Sequence, residues 1–233
     1  MFGSVKVIGF DADDTLWENE PFYRQSEEKF CFLMKAYMPA SRVSQELLST
    51  EIGNLELYGY GVKAFTLSLI ETALRISHGE LDPRIISEII NIGKNQLSRA
   101  NPLLDGVKEV LERLKPHYRL IVATKGDLLD QERKLENSGL SGYFHHIEIM
   151  SDKQERNYRE LLRHLDISPE GFMMVGNSLK SDIAPVLALG GYGVYIPYYI
   201  TWQHEVHSED QLQSDRYHRI DKLIELPALL GLQ

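Results

Sequence analysis

Three carboxylates fall within four residues at Asp11, Asp13 and Asp14, directly after the apolar run Val5 to Phe10. The run mixes valine and isoleucine with few charges, as a strand buried on both faces does. Ligands of α/β sheets sit just beyond the carboxyl ends of such strands. Residues i and i+2 of a strand point the same way, so Asp11 and Asp13 repel each other unless one is protonated or a divalent cation stands between them. Both remedies serve chemistry. A magnesium ion lets both stay ionised, and one aspartate can then attack phosphorus while its neighbour handles the proton. A strand that simply ends in a polar turn would carry the same residues, so the rest of the chain decides.

The elements that must position these groups follow from the apolar spacing. Residues from about 17 to 100 read as helical throughout. One helix starts near Asn19 and Pro21 and runs toward Met38, and a second covers about Val43 to Leu57 before the break at Gly59-Tyr60-Gly61. Phe65, Leu69, Ala73 and Ile76 recur at helical spacing, and Asp82-Pro83 is an N-cap followed by proline at the first helical position, opening a helix toward Arg99. More than eighty residues is too long for a loop between two sheet elements, which predicts an inserted helical domain.

From Leu103 helices and strands alternate. Val107, Val110, Leu111 and Leu114 share a helix face, and strands are expected at 119–123, 145–150, 172–175, 192–196 and 217–220. A helix spans about Leu128 to Ser138, and another presents Tyr158, Leu161, Leu162 and Leu165 to the core. Repeated β-α units predict a mainly parallel sheet covered on both faces. Its strand ends then bring Asp11, Asp13, Thr124, Lys153 and Asp182 to one edge.

At 233 residues the chain suits one large domain or a core with a smaller insert. A net charge of -9 speaks against general affinity for nucleic acid polymers or anionic membranes. Cys31 is the sole cysteine, which excludes an internal disulfide or a thiolate metal cage and fits a reducing, cytoplasmic compartment. The N-terminal apolar run meets Asp11 too soon for a signal peptide. The charge-free stretch Ile183 to His204 is broken by Pro185, Pro197 and three glycines, so it reads as helix, turn, strand and loop.

Four segments, in order, resemble the motifs of the haloacid dehalogenase superfamily: Asp11-Ala12-Asp13-Asp14-Thr15-Leu16, Ala123-Thr124-Lys125-Gly126, the isolated Lys153, and Gly176-Asn177-Ser178-Leu179-Lys180-Ser181-Asp182. The match spans nearly the whole chain. It implies a Rossmann-like α/β core formed by 1–16 and 101–233, with an inserted helical cap at 17–100. Carried over, Asp11 would be the nucleophile that forms an aspartyl-phosphate, and Asp13 the acid and base. Thr124, Lys125 and Lys153 would hold the phosphoryl group. Mg2+ would rest on Asp11, the backbone carbonyl of Asp13, and Asp182. The fourth motif often has an acid where this chain has Asn177, which brings no charge and can serve through a metal-bound water.

The resemblance thus implies a magnesium-dependent phosphomonoester hydrolase acting on a small phosphorylated metabolite, with nucleoside monophosphates and sugar phosphates as candidates. Members that dehalogenate acids tend to lack a carboxylate at the position of Asp13, which favours phosphoryl transfer. A phosphomutase is the mechanistic rival, and a phospho-accepting signalling or binding module the rival of another class. In the cap, Tyr58, Tyr60 and Lys63 surround a glycine turn and are candidates for reading the leaving group.

Overall fold

The computed structural model describes residues 2–209, 212 and 214–232. Six parallel strands form one sheet: β1 (Val7–Phe10), β2 (Arg119–Lys125), β3 (His146–Met150), β4 (Phe172–Gly176), β5 (Tyr192–Tyr195) and β6 (Tyr217–Arg219), in the order β3-β2-β1-β4-β5-β6. The order reverses direction at β1, so the crevice outside its carboxyl end, between β2 and β4, is where an α/β sheet places a ligand. β1 is buried along its whole length. Ile8 and Phe10 face a core shared with Val110, Leu111 and Leu226, while Val7 faces Tyr158, Leu161 and Val186. Two-sided burial is why the strand reads as a continuous apolar run.

Four helices follow β1 in the chain before residue 100: α1 (Glu20–Leu33), α2 (Ala40–Tyr58), α3 (Val62–Ile76) and α4 (Pro83–Leu97). α1 ends earlier than the predicted helix, which passes into a short 3-10 turn at Met34–Ala36, and α2 is longer than its sparse apolar spacing suggests. The Asp82 side chain accepts the Arg84 N–H at 2.9 Å, the cap that the Asp-Pro pair announces. Phe30, Val43, Leu47, Phe65, Leu69, Ala73 and Ile89 form this segment's own core. By contacts the chain divides into two compact units, 1–20 with 101–125 and 131–233, and 21–100 with 126–130.

The remaining helices cover the sheet: α5 (Val107–Leu114), α6 (Leu128–Ser138), α7 (Glu155–His164), α8 (Ala184–Leu189) and α9 (Leu226–Leu229). A wide helical turn, Leu179–Ile183, leads into α8 and carries Asp182. No helix among the described residues is long and apolar enough to cross a membrane.

Candidate active site

The sheet unit gathers its polar side chains beyond the ends of β1, β2 and β4. Asp11 follows β1 directly and its N–H still donates to the Val175 carbonyl, so the ladder holds its backbone. Lys153 Nζ bonds both Asp11 Oδ1 and, at 2.6 Å, Asp182 Oδ1. All three side chains are buried. Asp182 Oδ2 accepts the Ser178 N–H at 2.9 Å, which fixes the carboxylate by the turn it belongs to.

Two carboxylates around one ammonium leave a buried negative excess. Burial penalises the Lys153 cation, but the charges of Asp11 and Asp182 outweigh it and push its pKa up, so it stays protonated. Burial above all, with Asp182 adding to it and Lys153 opposing, raises the Asp11 carboxyl to about 7. A further cation beside Asp11 would relieve that excess.

Asn177 stands beside that carboxylate. One end of its amide lies 3.2 Å from Asp11 Oδ2, 3.2 Å from Thr15 Oγ1 and 3.3 Å from the Asp13 carbonyl oxygen. With its amide nitrogen inward, Asn177 donates to these oxygens; with its carbonyl inward, it completes an all-oxygen cradle. Among the described residues no group of three His, Cys, Asp or Glu side chains is placed to hold a metal. The oxygens around Asn177 are instead one carboxylate, Asp11, and neutral groups, with Asp182 joined to Asp11 through Lys153, a donor set that Mg2+ accepts while keeping waters.

Asp13 lies in a different setting. Its Oδ1 accepts from Trp17 Nε1 at 2.7 Å and Lys134 Nζ at 3.0 Å, and its Oδ2 from Gln131 Nε2 at 3.1 Å. The same Gln131 Nε2 donates to Thr124 Oγ1 at 2.8 Å, so Thr124 and Asp13 share a buried partner. Asp14, at φ 62°, turns back to accept the N–H groups of Asn19 and Glu20 and so opens α1. Its carboxyl is raised to about 8 by burial and then by the charge of Asp13.

Lys125 points elsewhere. Its Nζ bonds Glu205 Oε1 at 2.7 Å and Ser181 Oγ at 2.9 Å. Glu205 Oε2 accepts from Ser178 Oγ and Ser181 Oγ, each at 2.6 Å. A residue of the loop after β5 thus ties together the second and fourth motifs. In the helical unit, Tyr58 donates to Glu71 at 2.7 Å, and Lys63 pairs with Asp127 of the same unit at 2.9 Å.

The sequence reading names Asp11, Asp13, Thr124, Lys153, Asn177 and Asp182, and hydrogen bonds join them into two adjoining clusters. It misses Trp17, Gln131, Lys134 and Glu205. For Gln131 and Lys134 a signal exists: they stand three apart on the helix that follows the second motif, and so share a face.

The fold and this strand-end cluster define a hydrolase class. The chain belongs to the haloacid dehalogenase-like hydrolases, whose family model matches residues 5–190. A haloacid dehalogenase-like family hydrolase from Xanthomonas campestris is 37% identical, with a TM-score of 0.88 over 98% of this chain and 91% of that one. The glyceraldehyde 3-phosphate phosphatase of Methanothermobacter thermautotrophicus is 24% identical over 216 residues, 88% of this chain and 91% of the relative. A 2-haloacid dehalogenase from Pseudomonas syringae pv. tomato shares the fold, with a TM-score of 0.64 at 19% identity over 97% of this chain and 98% of that one.

Proposed function

We propose that the chain is a Mg2+-dependent phosphatase of small phosphorylated metabolites that works through an aspartyl-phosphate. The carrying observation is the contrast between Asp11, buried against Lys153, and Asp13, two residues on, whose carboxylate is held by three donors and keeps 25% of its side-chain surface exposed. A nucleophile needs the first setting and an exchanger of protons the second. The fold alone does not choose, because a dehalogenase shares it. The carboxylate at Asp13 favours an oxygen leaving group, which needs a proton.

Asp11 attacks phosphorus, the P–O bond to the alcohol breaks, and Asp13 gives that oxygen its proton. Asp13 then takes a proton from water, which attacks the phosphorus of the aspartyl-phosphate and releases phosphate and free Asp11. Lys153 and the Thr124 hydroxyl hold phosphoryl oxygens. Asp11, the Asp13 carbonyl and Asp182 would hold Mg2+, which when bound would supply charge neutralisation at the phosphoryl group. The helical segment expected at 17–100, of which 21–100 forms a unit of its own with 126–130, would be the cap that admits the substrate, with Tyr58, Tyr60 and Lys63 as candidates for reading its leaving group.

The phosphatase relative supports a small phosphate ester and adds triose phosphates to the candidates. The test is phosphate release from glyceraldehyde 3-phosphate, sugar phosphates, nucleoside monophosphates and p-nitrophenyl phosphate, with and without Mg2+, for the native chain and Asp11→Asn. Mg2+-dependent release lost in the variant is expected. Transfer between esters without free phosphate would point to a mutase, and silence on every ester would overturn the reading.

A further inference from the structure

An ionised carboxylate offers about four lone-pair sites, two on each oxygen. At Asp13, Trp17 Nε1 and Lys134 Nζ occupy both sites of Oδ1, and Gln131 Nε2 takes one of Oδ2. The open acceptor capacity is therefore on Oδ2, where Gln131 Nε2 shares its two protons among Oδ2, Thr124 Oγ1 and the Lys125 carbonyl. Building on the phosphoryl-transfer reading, we propose that Lys134 is a positioning residue for leaving-group protonation: with Trp17 it saturates Oδ1, so that the proton given to the departing oxygen travels through Oδ2 alone.

The surroundings make this arrangement rigid. Trp17 is 1% exposed, and its backbone bridges both Asp13 and Leu103. The Lys134 side chain is only 10% exposed, although a lysine on a polar helix can usually carry its ammonium to water. Its Nζ turns inward and spans Asp13 Oδ1 and, at 2.9 Å, Asn19 Oδ1. Asn19 is itself held through its N–H by Asp14 at 2.9 Å. Lys134 thus braces both ends of the turn on which Asp13 sits. Protonation on Oδ2 breaks none of these bonds, because Oδ1 still accepts from both donors.

Leaving-group dependence tests the assignment. The value of kcat/KM covers events up to phenol release, and p-nitrophenolate departs without a proton whereas phenolate needs one. In Lys134→Met, kcat/KM for phenyl phosphate should fall at least about 10-fold further than for p-nitrophenyl phosphate. Asp13→Asn should widen the same ratio at least as much, and Lys134→Arg, which keeps a donor, should hold the native ratio. Both esters are assayed on one preparation with Mg2+, so any unfolded fraction cancels. If Asp13→Asn widens the ratio and Lys134→Met does not, the role of Lys134 is overturned while the phosphatase reading stands. If Asp13→Asn leaves the ratio unchanged, the acid assignment itself fails and the inference falls with it.

Discussion

Asp182 occupies the space that a side chain at Gly176 would need: a Cβ there would overlap the Asp182 carboxylate and approach its Cβ to 2.7 Å. The last residue of β4 therefore has to be glycine for Asp182 to reach both the Ser178 N–H and Lys153. In Gly176→Ala the carboxylate must move, so turnover should fall on the order of 100-fold. Overpacking should cost about 1–3 kcal/mol in urea unfolding. Native turnover in this variant would contradict the placement.

Removing the ammonium from between the two aspartates strands both. Lys153→Met should lose about 3–5 kcal/mol at neutral pH without divalent cations, since it breaks a buried ion pair from one side. The folded chain holds the Asp11 proton more tightly than the unfolded one, with a value raised by burial from 3.8 to about 7. The stability linked to that proton is full below 3.8 and is lost as pH rises through about 7. Without Lys153, which lowers it in the native chain, the Asp11 carboxyl rises further and the loss continues to higher pH. The gap between native and variant unfolding should therefore be wider at pH 8 than at pH 5.

Glu205 predicts the opposite slope. Burial alone would raise its carboxyl, but Lys125 and the hydroxyls of Ser178 and Ser181 win and lower it from 4.5 to about 2. Its contribution is present above 4.5 and lost as pH falls through about 2. Glu205→Gln should be less stable at pH 7 by on the order of 3 kcal/mol. Its deficit against the native chain should shrink toward pH 3, as read from urea unfolding at each pH. An equal deficit at both would contradict the charged pairing.

Asn177 separates metal affinity from the rest of the site. Asn177→Asp adds a charge to the oxygens of Asp11 and Asp13, so the Mg2+ concentration for half-maximal thermal stabilisation should drop by about 10-fold, and Asn177→Ala should raise it by a similar factor. Without Mg2+ the aspartate variant should melt below the native protein, because a third carboxylate then faces Asp11 uncompensated.

What the sequence discloses about this site follows contact range. The motif residues stand at or just beyond strand ends, and strands announce themselves locally by apolar runs between polar turns. The edge that collects Asp11, Thr124, Lys153 and Asp182 follows from parallel topology alone. The partners of Asp13 do not: Gln131 and Lys134 lie 118 and 121 residues away, and only the packing of α6 beside the Asp13 turn brings them there. Glu205 is hidden for the same reason, in a loop that reaches Lys125 across 80 residues. The family resemblance makes Lys125 a phosphate ligand, yet it follows Thr124 on β2 and successive strand residues point to opposite faces. Its ammonium faces Glu205 and Ser181 instead.

The proposed phosphatase activity depends on covalent chemistry at Asp11. Acid quenching of the native chain within the first turnover of p-nitrophenyl phosphate and Mg2+, followed by protein and peptide mass measurement, tests it directly. One phosphoryl group per chain is expected, removable by hydroxylamine, on the peptide containing Asp11, and none in Asp11→Asn. Steady phosphate release with no labelled protein at any quench time, or a label on another residue, would contradict it.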